Sequence, residues 1–228
     1  MYRYELHCHT RPVSRCAAIS PKTLVKRYEA AGYDGIVLTD HYSPMTFLGR
    51  HFLAPREAVD HYLSSYHQLK EYCGSSFTVL LGMELRHYGT VNDYLVYGIE
   101  EDWLRKQDNM LLWDEKTMSR RLHEQGCLVF QAHPFRPFIK RCDLSLLDGV
   151  EVFNGHTNAK ANHEALLWAQ ANGKPMISGS DTHRRSDVIC GGICTETPIR
   201  TNADLLRALN EQAYDLICAD DACIRLAS

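Results

Sequence analysis

Short apolar runs alternate along the chain with longer stretches whose apolar positions recur at helical spacing. The pattern predicts strands at Tyr2–His9, Gly35–Asp40, Phe77–Leu85, Tyr94–Ile99, Cys127–Ala132, Gly149–Phe153 and Pro175–Ser180, with a weaker one at Gly191–Thr195. A helix is predicted to start at Ser20-Pro21, a cap residue followed by proline at the first helical position, and to close at Gly32. Its Leu24, Tyr28 and Ala31 fall on one face. Further helices are predicted at about Pro55–Cys73, Asp114–Gln125, Asn158–Asn172 and Ala203–Leu209. Strands alternating with helices in this way predict a mostly parallel α/β fold, whose strand C-termini face one way and carry the site. A closed or nearly closed barrel gathers five or more strand ends, which an open sheet would spread apart.

Those ends share one chemistry. The runs stop on His7-Cys8-His9, Thr39-Asp40-His41, Gly82-Met83-Glu84, Ala132-His133-Pro134 and Gly179-Ser180-Asp181-Thr182-His183. Imidazole and carboxylate together suit Zn, Mn or Fe rather than Mg or Ca. In the first strand, His7 and His9 are two residues apart and point to one side, so one ion can take both. Asp40 either orients a ligating imidazole as an acceptor behind it or caps a turn. Glu84 ends a strongly apolar run, where an unpaired buried carboxylate costs several kcal/mol, so it needs a cation: a metal ion, or Arg86. His133, Asp181 and His183 close their strands in the same way, and Gly179 permits close backbone approach. His51, His87 and His156 fall in loops near these ends; His61, His67, His123 and His163 lie in helical stretches and read as solvated.

Composition narrows the class without changing it. The 228 residues fit one large domain, read as spanning 1–228, and a net charge of -3 gives no electrostatic case for nucleic acid or an acidic membrane. No apolar run reaches the roughly 18 residues of a membrane span, so a cytoplasmic protein is expected. Nine cysteines, irregularly spaced and without Cys-x-x-Cys, read as free thiols in a reducing compartment.

With these residues in place, the chain resembles the polymerase and histidinol phosphatase (PHP) superfamily. The resemblance runs from Tyr2 to about Leu209 and rests on six motifs in order: His7-x-His9-Thr10, Thr39-Asp40-His41, Gly82-x-Glu84, Ala132-His133-Pro134, Glu151-Val152-Phe153-Asn154 and Gly179-Ser180-Asp181-x-His183. It implies a distorted (β/α)7 barrel, two or three divalent ions, and cleavage of phosphate esters, with nuclease or structural roles in polymerase-associated members. By the family pattern, His7, His9, Glu84 and Asp181 hold the first metal. Glu84 bridges to a second ion bound by His133, and His41 and His183 serve a further position. Two departures stand out. Ser14-Arg15-Cys16 lies where the family often supplies a ligand to that further position, and Asp93 takes the place of a histidine before Tyr94-Leu95-Val96-Tyr97. Two ions are therefore expected before a third.

For a phosphomonoester, Arg136 just after His133-Pro134-Phe135 is the expected phosphate clamp, since a guanidinium matches phosphate geometry. Arg15, Arg184 and Arg185 are its rivals. His183 or Asp40 would protonate the leaving group. The long loops Tyr42–Arg56, Pro134–Ser145 and Asn154–Lys160 set specificity. There Met45, Phe47, Phe52, Phe135 and Phe138 either line an apolar wall or pack the loops onto the barrel. A small phosphorylated metabolite is the expected substrate; a phosphodiester, an amide, or a binding module without turnover are the alternatives.

Overall fold

The computed structural model describes residues 1–49, 55–218 and 223–224. In chain order the strands are β1 (Tyr2–Glu5), β2 (Gly35–Leu38), β3 (His41–Tyr42), β4 (Thr78–Leu85), β5 (Tyr94–Tyr97), β6 (Leu128–Gln131), β7 (Gly149–Asn154), β8 (Met176–Gly179), β9 (Gly191–Thr195), β10 (Asp215–Cys218) and β11 (Cys223–Ile224). The helices are α1 (Pro21–Ala30), α2 (Pro55–Tyr72), α3 (Glu101–Leu104), α4 (Glu115–Glu124), α5 (Ala159–Ala171) and α6 (Asn202–Glu211). All eight predicted strands and all five predicted helices occur, the strands trimmed by a residue or more at most ends. Ser20 caps α1 by accepting from the Thr23 amide, with Pro21 at the first helical position.

The strands form one sheet in the order β11-β10-β9-β1-β2-β4-β5-β6-β7-β8, with β3 paired to β4 off that path. Beyond β1 and β8 the chain pairs again: Cys8 and Thr182 form a parallel bridge, the His9 amide donates to the Thr182 carbonyl at 2.9 Å, and the Asp181 amide donates to His7 at 2.7 Å. The sheet thus curls into a nearly closed barrel, as expected. The core strands are buried on both faces, which is why they read as continuous apolar runs.

One expectation needs correction. The sheet is not mostly parallel throughout: β5 runs antiparallel to both β4 and β6, and β9, β10 and β11 extend β1 in antiparallel register. The connection from β4 to β5 is too short for the crossover that a parallel neighbour needs, so it closes as a hairpin. The reversal has a functional consequence. Because β5 is inverted, its beginning lies on the rim where the parallel strands end, and Asp93 reaches that rim from the residue before the strand. The Ala132 amide donates to the Asp93 carbonyl there, at 3.0 Å.

Glu5 fills the seam between β1 and β8. Its Oε1 accepts from the amides of Leu6, His7 and Ser180, and its Oε2 accepts from the Tyr28 hydroxyl. Burial pushes this carboxyl up from its ordinary 4.5 to about 7, although the hydrogen bonds from Ser180, His7 and Tyr28 pull the other way. The folded chain therefore holds the proton more tightly than the unfolded one. The associated stability is complete below pH 4.5 and is lost as pH rises through about 7. Denaturant titrations of the wild type and Glu5→Gln should diverge over that window, the wild type losing on the order of 3 kcal/mol relative to the variant. Parallel stability curves would count against a buried, titrating Glu5.

Among the described residues no helix is long and apolar enough to cross a membrane.

Candidate metal centre

His7, His9, His133 and the carboxylates of Glu84, Asp93 and Asp181 are all buried at one end of the barrel, and His41 and His183 sit at its more open side. Strand ends place them. His7 and His9 follow β1, Glu84 lies within β4, and His41 opens β3 directly opposite Glu84. His133 follows β6, and Asp181 and His183 follow β8. His133 (φ 30°) and Asp181 (φ 56°) both adopt the left-handed backbone region. For residues other than glycine that conformation costs about 1–3 kcal/mol and is held where surrounding structure imposes it.

The ligand atoms of His7, His9 and Asp181 lie within 4.8 Å of one another, and Glu84 turns one oxygen to each of the two imidazoles. His7 Nε2 lies 3.4 Å from Glu84 Oε1 and 3.4 Å from Asp181 Oδ1, and His9 Nε2 lies 3.3 Å from Glu84 Oε2 and 3.1 Å from Asp181 Oδ1. Neither Nε2 makes a hydrogen bond of acceptable geometry, although both are buried. Orphaned polar atoms of this kind are rare and call for a missing partner. Zinc bonds to imidazole nitrogen and carboxylate oxygen of about 2.0–2.2 Å put tetrahedral ligand atoms roughly 3.3–3.6 Å apart, close to the spacing found. The donor set of two imidazoles and two carboxylates also balances a divalent charge. A divalent ion therefore fits this cage.

Two adjoining groups share members with the first. His7, Glu84 and His133 can meet on one ion, as can His9, His41 and His183, the ligand atoms in each lying within 4.8 Å of one another. Glu84 is the common carboxylate: its Oε1 is 3.0 Å from His133 Nε2 and its Oε2 is 2.7 Å from His41 Nδ1. Asp93 joins a His41–Glu84–Asp93 group, yet it is also held by a two-pronged ion pair from Arg86, whose Nε donates at 2.6 Å. Arg86 thus pairs Asp93 rather than Glu84.

The electrostatics match. Burial raises the Glu84 carboxyl, but His41 and His7 outweigh it and hold the group well below the ordinary carboxylate range. Asp181 is likewise held low against burial by His7 and His9. Burial and the neighbouring His183 and His41 push His9 well below its ordinary value, so it is neutral and its lone pair is available.

Behind the ligands stands a group whose role the sequence left unassigned. Glu151 accepts from His7 Nδ1 at 2.8 Å and from the His133 amide at 2.9 Å. This fixes the His7 tautomer so that Nε2 faces the cage, an arrangement that orients the ring and raises its basicity. A bulge between Glu151 and Phe153 turns Asn154 to the same side, and its Nδ2 donates to Glu151 and Asp181. The signal in the sequence was a charged residue inside the apolar run Gly149–Phe153. Gly179 is required by contact, because a Cβ there would lie 2.3 Å from His7 Cβ.

Asp40 stays behind the ligands. Its oxygens accept from the Thr10 amide, the Thr10 hydroxyl and the Ser14 hydroxyl, and Ser14 Oγ lies 3.2 Å from His9 Nδ1. It therefore orients His9 through Ser14 rather than His41, and with both oxygens engaged and 1% exposure it cannot reach a leaving group. Arg136 does face the centre: Nη2 donates to Asn154 Oδ1 and Asp181 Oδ2, both at 2.7 Å, and Nε to Thr157. Two rivals turn away, Arg15 toward the Leu48 carbonyl and Arg185 toward Thr23, whereas among the described residues no side-chain contact places Arg184. Of the loop apolar residues, Phe47 packs on Tyr42 and Phe135 on Trp168, while Met45 and Phe138 are exposed. His51 and Phe52 lie outside the described residues.

A profile of the PHP-associated family matches residues 159–214. No protein of curated function gives a significant match. Among solved structures, a two-domain protein from Bacteroides vulgatus containing a predicted PHP-like metal-dependent phosphoesterase is 18% identical, with a TM-score of 0.66 over 96% of this chain and 65% of that one. The chain thus spans just under two thirds of that relative. An amidohydrolase from Chromobacterium violaceum is 14% identical (TM-score 0.52; 96% of this chain, 99% of that one). A lesion-specific endonuclease from Pyrococcus furiosus is 13% identical (TM-score 0.60; 92% and 56%). At such identities the likeness is one of fold. The PHP-associated match covers the stretch from α5 to the end of α6, and the six motifs converge in order on one rim of that fold.

Proposed function

We propose that the chain, acting as one unit over 1–228, is a metal-dependent phosphoesterase that hydrolyses a small phosphomonoester, and that it works with Zn, Mn or Fe. The observation that carries this reading is the convergence of His7, His9 and Asp181, with a Glu84 oxygen beside each imidazole, at nitrogen–oxygen distances of 3.1–3.4 Å that suit a divalent ion. Ions bound there would supply Lewis-acid polarisation of a phosphoryl oxygen and an acidified water. The chain's own groups do the rest. Arg136 is fixed by Asn154, Thr157 and Asp181, so the N–H groups of its Nη1 are aimed without further ordering and can grip the phosphoryl oxygens. His183 stands at the open side with Nδ1 donating to the Asp181 carbonyl. Its Nε2 can hold an ion or give a proton to the leaving oxygen, though not both together. Exposed Met45 and Phe138 are available to an apolar leaving group. Free thiols at Cys8, Cys127 and Cys194 suit a reducing, cytoplasmic setting.

A phosphodiester is the second reading, favoured by the fold shared with the lesion-specific endonuclease; the net charge of -3 weighs against a nucleic-acid substrate. The test is to strip the protein of metal, restore Mn or Zn, and compare p-nitrophenyl phosphate with bis-p-nitrophenyl phosphate and an anilide. Metal-dependent release from the monoester, in excess of the other two, is the expected result. Preference for the diester moves the assignment to phosphodiesterase, and preference for the anilide removes phosphate from it.

A further inference from the structure

The loop after β7 carries a side chain that the reading above does not use. His156 is exposed, and its ring meets that of His183 edge-on, with centroids 5.7 Å apart. Its Nε2 lies 3.1 Å from Asp187 Oδ2. That oxygen also accepts from the amides of His183 and Arg184, at 2.8 and 2.7 Å. Asp187 is thus locked to the turn after β8, and the imidazole is held by Asp187.

The backbone is fixed as firmly. The Gly155 amide donates to the Gly179 carbonyl at 3.0 Å, and a Cβ at Gly155 would lie 2.5 Å from the Ser180 carbonyl oxygen, so the loop is pressed against the end of β8. The His156 amide donates at 2.9 Å to Asn154 Oδ1, the atom that also takes Arg136 Nη2. His156 is therefore tied on one side to the phosphate clamp and on the other to His183, the two groups that flank the leaving oxygen.

Its chemistry follows from the tautomer. An ionised carboxylate only accepts, so Nε2 carries the ring proton and the neutral ring presents Nδ1 as an acceptor. Among the described residues no hydrogen bond takes Nδ1. An acceptor beside the leaving oxygen calls for a donor on the leaving group. Arg136 is joined to His156 through Asn154, and the exposed Arg184 and Arg185 follow His183 directly. Against these, Asp187 supplies a single negative charge, so an ammonium is disfavoured and a hydroxyl fits.

We propose that His156 Nδ1 accepts a hydrogen bond from a hydroxyl on the leaving group, which makes His156 a specificity-determining residue and the substrate the phosphate ester of a polyol, open-chain or sugar. Asp187 is its positioning residue. The inference rests on the phosphoesterase reading above and deepens it.

The experiment compares kcat and KM of the metal-loaded full chain on glycerol 1-phosphate, n-propyl phosphate and phosphoethanolamine, with metal content measured alongside. The wild type should show kcat/KM for glycerol 1-phosphate about five- to tenfold above that for propyl phosphate, the discrimination of one hydrogen bond. Phosphoethanolamine should fall below glycerol 1-phosphate. His156→Ala should bring the two alkyl phosphates to within about twofold of each other, chiefly through a higher KM for glycerol 1-phosphate, at unchanged metal content. His156→Asn, whose Oδ1 stands near the place of Nδ1, should restore part of the preference. Asp187→Ala should lose the same preference, because the ring is then free to turn. Equal efficiency on glycerol and propyl phosphates in the wild type would overturn the proposal, as would a preference that survives in His156→Ala or a wild type that favours phosphoethanolamine. Cleavage of p-nitrophenyl phosphate but of none of the three would overturn it too. Each of those leaves the phosphoesterase reading standing, whereas a metal-loaded wild type that cleaves no phosphomonoester defeats that reading and the inference with it.

Discussion

Glu84→Gln is expected to lower kcat/KM for the phosphomonoester on the order of 10³-fold, at several kcal/mol of lost transition-state stabilisation and about 1.4 kcal/mol per tenfold. Among the described residues no other carboxylate touches as many of these groups: Glu84 lies within 3.4 Å of His7, His9, His41 and His133. An amide of the same size keeps the packing of β4 but removes the charge shared by the adjoining cages. The loss should therefore appear in metal content as well as in rate, with the circular dichroism spectrum unchanged. A Glu84→Gln enzyme that keeps its ions and its rate would mean that Glu84 is a structural partner of the histidines and nothing more.

Arg136→Ala should act differently. Charge-assisted hydrogen bonds contribute about 1.5–3 kcal/mol each, so losing the clamp should cost roughly 10- to 100-fold in kcat/KM. The metal should stay. Arg136 competes with an ion for Asp181 Oδ2, which it holds at 2.7 Å, so its removal leaves that carboxylate freer to ligate. Arg136→Lys should not rescue the rate, because an ammonium cannot donate to Asn154, Thr157 and Asp181 while still facing the substrate. Full rescue by lysine would reduce Arg136 to a diffuse charge, and falling metal content in Arg136→Ala would make it a support for the cage.

The strands and the first cage were legible because both depend on local pattern. An apolar run that stops on His or Asp announces a buried strand with ligand atoms at its end, and seven of the eight proposed metal ligands were found that way. Asp93 came instead from the family comparison, and its setting was invisible: period and composition do not say that β5 runs backward, and only the reversal carries Asp93 to the rim. Nor could they reveal that Arg86 binds it. Glu151 was visible as a charge inside an apolar run, but its role depends on a bulge that no spacing rule predicts. Asp40 lay at a strand end like the ligands, yet Thr10 and Ser14 take both its oxygens.

Crystals grown with zinc or manganese, and diffraction data recorded across the metal's absorption edge, test the centre most directly. The predicted result is an anomalous peak about 2.0–2.2 Å from His7 Nε2, His9 Nε2 and the nearest oxygens of Glu84 and Asp181. The contradicting result is a cage without anomalous signal in the presence of metal, its imidazoles hydrogen-bonded directly to the carboxylates.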